Sequence, residues 1–137
     1  MFKKIMVPVD LGHLGQLEKS LDVAADLAGR YDAPVIYVAV ISALPSQQAR
    51  TPTEFEAKLN DFAKSQSEKH GHTASAKTYV SHDPAVDLND QLLEAIDENA
   101  ADLVVMASHI PKLSDHLWPS HGGRVATRAH VSVLIVR

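Results

Sequence analysis

Short, solidly apolar runs alternate with helical patterns along the whole chain, and few folds accommodate that alternation. Val35-Ile36-Tyr37-Val38-Ala39-Val40-Ile41 has no polar position. A strand made of it has no face to give to water, which suits a parallel sheet covered by helices on both sides. Residues 3–9 read as a buried strand, apolar at Ile5, Met6, Val7 and Val9, and residues 102–106 and 131–136 read as the fourth and fifth strands. Residues 73–80 alternate instead, which predicts a strand at a sheet edge.

Between the runs the apolar residues take three- and four-residue spacing. Leu14, Leu17, Leu21, Ala24 and Ala28 line one face of a helix over 13–31, ended by Gly29 and the Tyr31-Asp32-Ala33-Pro34 stretch. Residues 42–52 hold two prolines and read as a loop. Thr51 or Thr53 caps a second helix with Phe55, Leu59 and Phe62 inward, ending near Gly71. Asp83-Pro84 opens a third helix with Leu88, Leu92 and Ile96 buried, and a last helix spans 121–130 after a loop at 107–119. Strand–helix alternation of this kind argues for a single α/β domain, residues 1–137, with right-handed crossovers. Ligands of such sheets bind outside the carboxyl ends of the strands. That directs attention to Asp10, Ile41–Ser42, Ser81–Asp83 and the segment from Ala107 onward.

Composition narrows the function. With 13 basic against 17 acidic residues, the formal charge is −4, a poor basis for gripping phosphate backbones, so nucleic acid is not an expected partner. The absence of cysteine excludes disulfides, thiolate metal sites and Cys nucleophiles. The opening apolar run stops at Pro8 and Asp10, too short for a signal core. No stretch approaches the ~20 apolar residues of a spanning helix. A soluble cytoplasmic protein without membrane insertion or lipid anchor is therefore expected.

The segment leaving the fourth strand and entering the last helix carries the most chemistry: Val105-Met106-Ala107-Ser108-His109-Ile110, then Trp118-Pro119-Ser120-His121-Gly122-Gly123-Arg124. Ser120 is the expected N-cap, leaving the amides of His121, Gly122 and Gly123 as unpaired donors at the positive end of a helix dipole, a setting that suits phosphate. Two glycines in a first helical turn need a reason, since each costs up to ~1 kcal/mol against alanine. Close approach of a ligand is one. Shaping the turn or packing on the fourth strand is the other.

Ile5-Met6-Val7-Pro8-Val9-Asp10, Asp83-Pro84-Ala85, the run from Ala101 to His109 and the closing Ser132-Val133-Leu134-Ile135-Val136-Arg137 cover every strand but the third, in order. On these pieces the chain resembles a single-domain universal stress protein from end to end. The resemblance implies an open five-stranded parallel sheet in order 3-2-1-4-5, two helices on each face, of the adenine-nucleotide α-hydrolase-like kind. It also implies a homodimer, often built by antiparallel pairing of the last strands, here residues 131–136.

Many members of that family bind ATP through Gly-x2-Gly-x9-Gly-[Ser/Thr]. Here Ala107 and Ile110 stand at the first two glycine positions, and nine residues later come Ser120-His121. Setting the register from Arg124-Val125 instead puts Pro119 at the third glycine and Ser120 at the Ser/Thr, with eight residues between. This second register is preferred because it keeps the serine at the helix cap. In both, all three glycines are replaced. Ala107 adds one methyl, Ile110 is β-branched and strained at positive φ, and Pro119 lacks an amide. Carried over residue by residue, the resemblance implies cofactor contacts from Pro8, Val9, Asp10, Val40, Met106, Ala107, Ser108, His109, Ile110, Pro119, Ser120, His121 and Gly122. Asp10 would meet the ribose, phosphate or a Mg²⁺, Val9 and Val40 would frame the adenine of ATP or AMP, and Ser120, His121 and Gly122 would hold phosphate. Pro8, Val9 and Asp10 equally suit a strand end and N-cap.

No general base is identifiable, so catalytic residues are not assigned and any ATPase would be slow. The expected role is presentation of the nucleotide state to a regulatory protein partner in stress response. The alternative is a nucleotide-free dimeric interaction module whose 107–120 loop, with Ile110, Leu113, Leu117 and Trp118, is the binding surface. Eight histidines raise a metal reading, but His70-Gly71-His72 falls at a helix end, where solvated histidine is common, and His109, His116 and His121 lack fixed helical spacing. Ser108-His109 lacks a Gly-x-Ser-x-Gly elbow, and neighbours on extended chain point apart. Tyr37 and Tyr79 are expected in the core.

Overall fold

The structure, a computed structural model, describes residues 1–108 and 119–137, and for 119–121 the backbone alone. In chain order the elements are β1 (Ile5–Pro8), a 3₁₀ turn (Leu11–His13), α1 (Leu14–Tyr31), β2 (Val35–Ser42), α2 (Pro52–His70), β3 (Ala74–Ser81), α3 (Pro84–Glu98), β4 (Leu103–Ala107), α4 (Pro119–Arg128) and β5 (Ser132–Val136). The strands form one parallel sheet in the order β3-β2-β1-β4-β5. Ile5 stands between Val35 and Leu103, which fixes β1 at the centre.

Burial follows from that order. Every residue of β1 and β4 is buried, whereas β3 and β5 alternate because each has a neighbour on one side only. The first two crossovers step one way along the sheet and the last two step back. With right-handed connections this puts α1 and α2 on one face and α3 and α4 on the other. Leu17, Leu21, Ala24 and Ala28 of α1 and Phe55, Leu59 and Ala63 of α2 seal the first face. Leu88, Leu92 and Ile96 of α3 and Val125 of α4 seal the second. Phe62 is only partly buried, and Ala63 takes the inner position.

The helix ends show local chemistry choosing among options. Thr51, not Thr53, caps α2: its hydroxyl accepts from the Glu54 amide at 3.1 Å, while the Glu54 carboxylate accepts from the Arg50 amide at 3.0 Å. Gly71 closes α2 at φ 81°, a left-handed position glycine holds without strain. α1 runs through Gly29 and ends on Asp32, left-handed at φ 50°. Asp83 occupies the cap position of α3 without bonding through its side chain. Ser81 does that work, accepting from the Asp83 amide at 3.2 Å and donating to Asp87 at 2.7 Å.

α4 begins two residues earlier than expected. Pro119 is its first residue, a position where a fixed φ helps and a missing N–H costs nothing, so Ser120 lies inside the first turn and is not the cap. No helix of the described residues is long and apolar enough to cross a membrane.

Candidate functional site

A cavity of about 400 Å³ opens over the carboxyl ends of β1 and β2. Its size is that of a small-molecule site. Pro8 and Val9 form one wall as β1 ends, and Val38–Ser42 of β2 form the next. The Val9 amide still donates to Val38 O at 2.8 Å, so pairing continues to the cavity edge. The β2–α2 connection arches over it, with Ala49 buried and Phe55 of α2 behind. Pro84, Leu88 and Leu92 of α3 close the far side. The cavity is thus mostly apolar, with its polar groups at the rim.

Asp10 is the charged residue of that rim. Its Oδ1 accepts from the Gly12 amide at 2.9 Å, capping the 3₁₀ turn, and its Oδ2 meets His13 Nδ1 at 2.9 Å. Each carboxylate oxygen retains a lone pair after one such bond. Asp10 is therefore held in place by its own turn and still able to accept from a ligand.

Pro8, Val9, Asp10 and Val40 are brought together around this one cavity. Met106 and Ala107 are buried in β4 beside it without lining it, and Ser108 is half-buried, its amide donating to Val136 O at 2.8 Å. His109 and Ile110 lie outside the described residues, as do Leu113, His116, Leu117, Trp118 and the side chains of Pro119, Ser120 and His121. The backbone of 119–121 forms the first turn of α4, across the sheet's switch point from the cavity. Gly122 is buried, and a Cβ there would come within 3.0 Å of Ile135 Cδ1. It lets α4 lie close on β5, not on the fourth strand. Gly123 is exposed with nothing within 4 Å of its would-be Cβ.

Sequence reasoning missed the arch. Residues 44–49 read only as a polar connector, yet Leu44, Pro45, Ser46, Gln48 and Ala49 line the cavity. The one available signal was position, since the loop leaves the carboxyl end of a buried strand.

The opposite end of the sheet holds a polar recess of about 380 Å³ that includes His70 and His72. His72 is buried, not solvated, and its Nε2 lies 3.0 Å from the buried Tyr37 hydroxyl. Burial, and then the neighbouring His70, push the His72 pKa down, and burial pushes the Tyr37 phenol up. Tyr79 is also buried, and burial with the Glu98 carboxylate bonded to its hydroxyl raises its pKa to about 12. Among the described residues no group of three or more His, Asp and Glu is placed to hold a metal ion.

The family model of universal stress proteins matches residues 1–137. The chain belongs to the universal stress protein family. Its relatives include universal stress protein G of Shigella flexneri and of Escherichia coli O157:H7, each 30% identical over 100% of both chains. Among solved family structures, a universal stress protein in complex with cAMP superposes with a TM-score of 0.72 at 21% identity, covering 99% of this chain and 97% of that one. The Archaeoglobus fulgidus protein in complex with dAMP superposes at 0.68 with 23% identity, covering 98% of each. The fold is accordingly the α/β, nucleotide-hydrolase-like fold of that family.

Proposed function

We propose that this universal stress protein binds an adenine nucleotide, ATP or AMP, in the cavity over β1 and β2. One observation carries the reading: an apolar slot of nucleoside size has Pro8, Val9 and Val40 as walls and the anchored Asp10 carboxylate at its mouth. A purine base suits the slot, and a ribose beside Asp10 has a strong acceptor. The nucleotides held by two solved relatives, cAMP and dAMP, support the class of ligand.

In this reading the phosphates extend toward the start of α4. There the amides of Ser120 and His121 lack helical partners by position, and the helix dipole favours anions. Mg²⁺ would accompany a triphosphate beside the Asp10 carboxylate. No residue is assigned as a catalyst, so hydrolysis is at most slow, and the protein acts in the cytoplasm by presenting its nucleotide state to a regulatory partner in stress response. The dimer forms through residues 131–136: β5 is an edge strand, and Leu134 on it is 39% exposed, which supports pairing with a second copy.

Calorimetric titration with ATP, AMP and cAMP tests the reading. Saturable heat that disappears in Val40→Asp, which places a charge against the base, is expected. No heat up to millimolar nucleotide refutes it and leaves the interaction-module role of the 107–120 loop.

A further inference from the structure

The arch over the cavity is not a slack connector. Ala49 is buried, Ser46 and Ala49 exchange backbone and hydroxyl hydrogen bonds, Lys58 Nζ donates to the Gln48 carbonyl, and the Thr51–Glu54 cap fixes the following turn. Gln48 is thereby held from both sides at the cavity mouth. Its side chain reaches across to the β1–α1 turn, where Nε2 lies 2.8 Å and Cδ 3.3 Å from the point a Cβ on Gly12 would occupy. Asp10 Oδ1 lies 3.3 Å from that same point. Gly12 has no positive φ to explain it. Its value is space, because any side chain there displaces the carboxamide. Among the described residues nothing hydrogen-bonds to that carboxamide, although it is half-buried and lines the cavity.

Asp10 and Gln48 both line the cavity, so a carboxylate that still accepts and a carboxamide that still donates stand close together at its rim. The group matching such a pair is a vicinal diol, whose hydroxyls donate to one partner and accept from the other. Resting on the nucleotide reading above, in which a ribose lies beside Asp10, we propose that Gln48 reads the ribose 2′-hydroxyl, making the site selective for ribonucleotides over 2′-deoxyribonucleotides. Gln48 acts as a strap from the β2–α2 connection, and Gly12 is the clearance that lets it close.

The test is calorimetry with AMP and 2′-deoxy-AMP on the wild type, Gln48→Ala and Gly12→Ala. A neutral hydrogen bond sets the scale, and the wild type is expected to prefer AMP by about three- to tenfold. Gln48→Ala, at a half-exposed loop position, should fold and should abolish the preference while leaving 2′-deoxy-AMP affinity within about twofold. Gly12→Ala keeps Gln48 but pushes its carboxamide aside, and should reduce the preference in the same direction. Equal affinities in the wild type, an unchanged ratio in Gln48→Ala, or equal weakening of both nucleotides there overturns the 2′-hydroxyl role and leaves nucleotide binding standing. Absence of heat with either nucleotide in the wild type overturns both together.

Discussion

Removing the Tyr37 hydroxyl probes a buried polar contact of the fold. Tyr37 is 0% exposed in the middle of β2, its ring packs edge-on to Phe62 at 5.1 Å, and its hydroxyl meets His72 Nε2 at 3.0 Å. Tyr37→Phe keeps the ring and its packing and takes away one hydrogen-bonding atom. Among the described residues His72 Nδ1 has no partner, so the variant leaves both ring nitrogens unsatisfied in a residue only 8% exposed. Stranding a buried polar group costs ~1–3 kcal/mol. For a domain of this size 1 kcal/mol corresponds to roughly 3 °C in Tm, so a fall of about 3–9 °C is expected. The pH dependence carries a sign. His72 binds its proton less readily when folded than its ordinary value near 6.5, because of burial and His70. The unfolded chain therefore takes up that proton first as pH falls. Stability is full above about 6.5 and declines from there to the lowered folded value. Denaturant unfolding at pH 7.5 and at steps down to 5 measures both effects. His72→Gln should flatten the acid slope. A Tyr37→Phe variant as stable as the wild type, or an acid slope untouched by His72→Gln, refutes the account of a buried neutral histidine held by tyrosine.

Three further outcomes are expected. Thr51→Ala removes the cap of α2 and should cost ~1 kcal/mol in denaturant unfolding, whereas Thr53→Ala should be near neutral. Gly123→Ala should stabilise by roughly 0.5–1 kcal/mol because its site is open, while Gly122→Ala loses that gain against Ile135; equal stabilities would deny the close α4–β5 packing. The wild type is expected to sediment as the proposed dimer and Leu134→Lys as a monomer of unchanged circular dichroism; a monomeric wild type would refute the dimer and an unchanged variant dimer would refute the β5 interface.

The sheet was legible because its strands announce themselves locally. Runs such as 35–41 need two covered faces, and the alternation of residues 73–80 needs one open side, so covered centre and exposed edge both follow from residue order alone. Helix starts were legible to within a choice. Thr51 and Thr53 are equivalent as cap residues, each with a glutamate three positions on, Glu54 and Glu56, and only Pro52, which suits the first helical position after Thr51, separates them. His72 could not be read in this way. A histidine at a helix end is buried only if something distant receives it, and Tyr37 of β2 is that receiver. Gln48 was hidden for the same reason. A polar residue in a proline-flanked loop looks solvated until the turn carrying Gly12 is folded beneath it.

Asp10 shows why the site was half legible. The sequence supported two uses for it, ending a strand and capping a turn, or meeting a ligand, and they looked like competitors. The geometry makes the first a condition of the second. The Gly12 amide donates to one oxygen and the His13 ring meets the other, which removes the carboxylate's freedom to rotate and leaves it accepting capacity for a ligand. An acid fixed in advance loses less entropy when a ligand arrives than one that must be ordered by it. In the proposed nucleotide reading the substitutions at Ala107, Ile110 and Pro119 fall at the phosphate end, whereas Pro8, Val9, Val40 and the anchored Asp10, proposed for the base and sugar, all line the cavity. Binding energy in this protein should accordingly reside in the nucleoside, so AMP should lose little affinity relative to ATP.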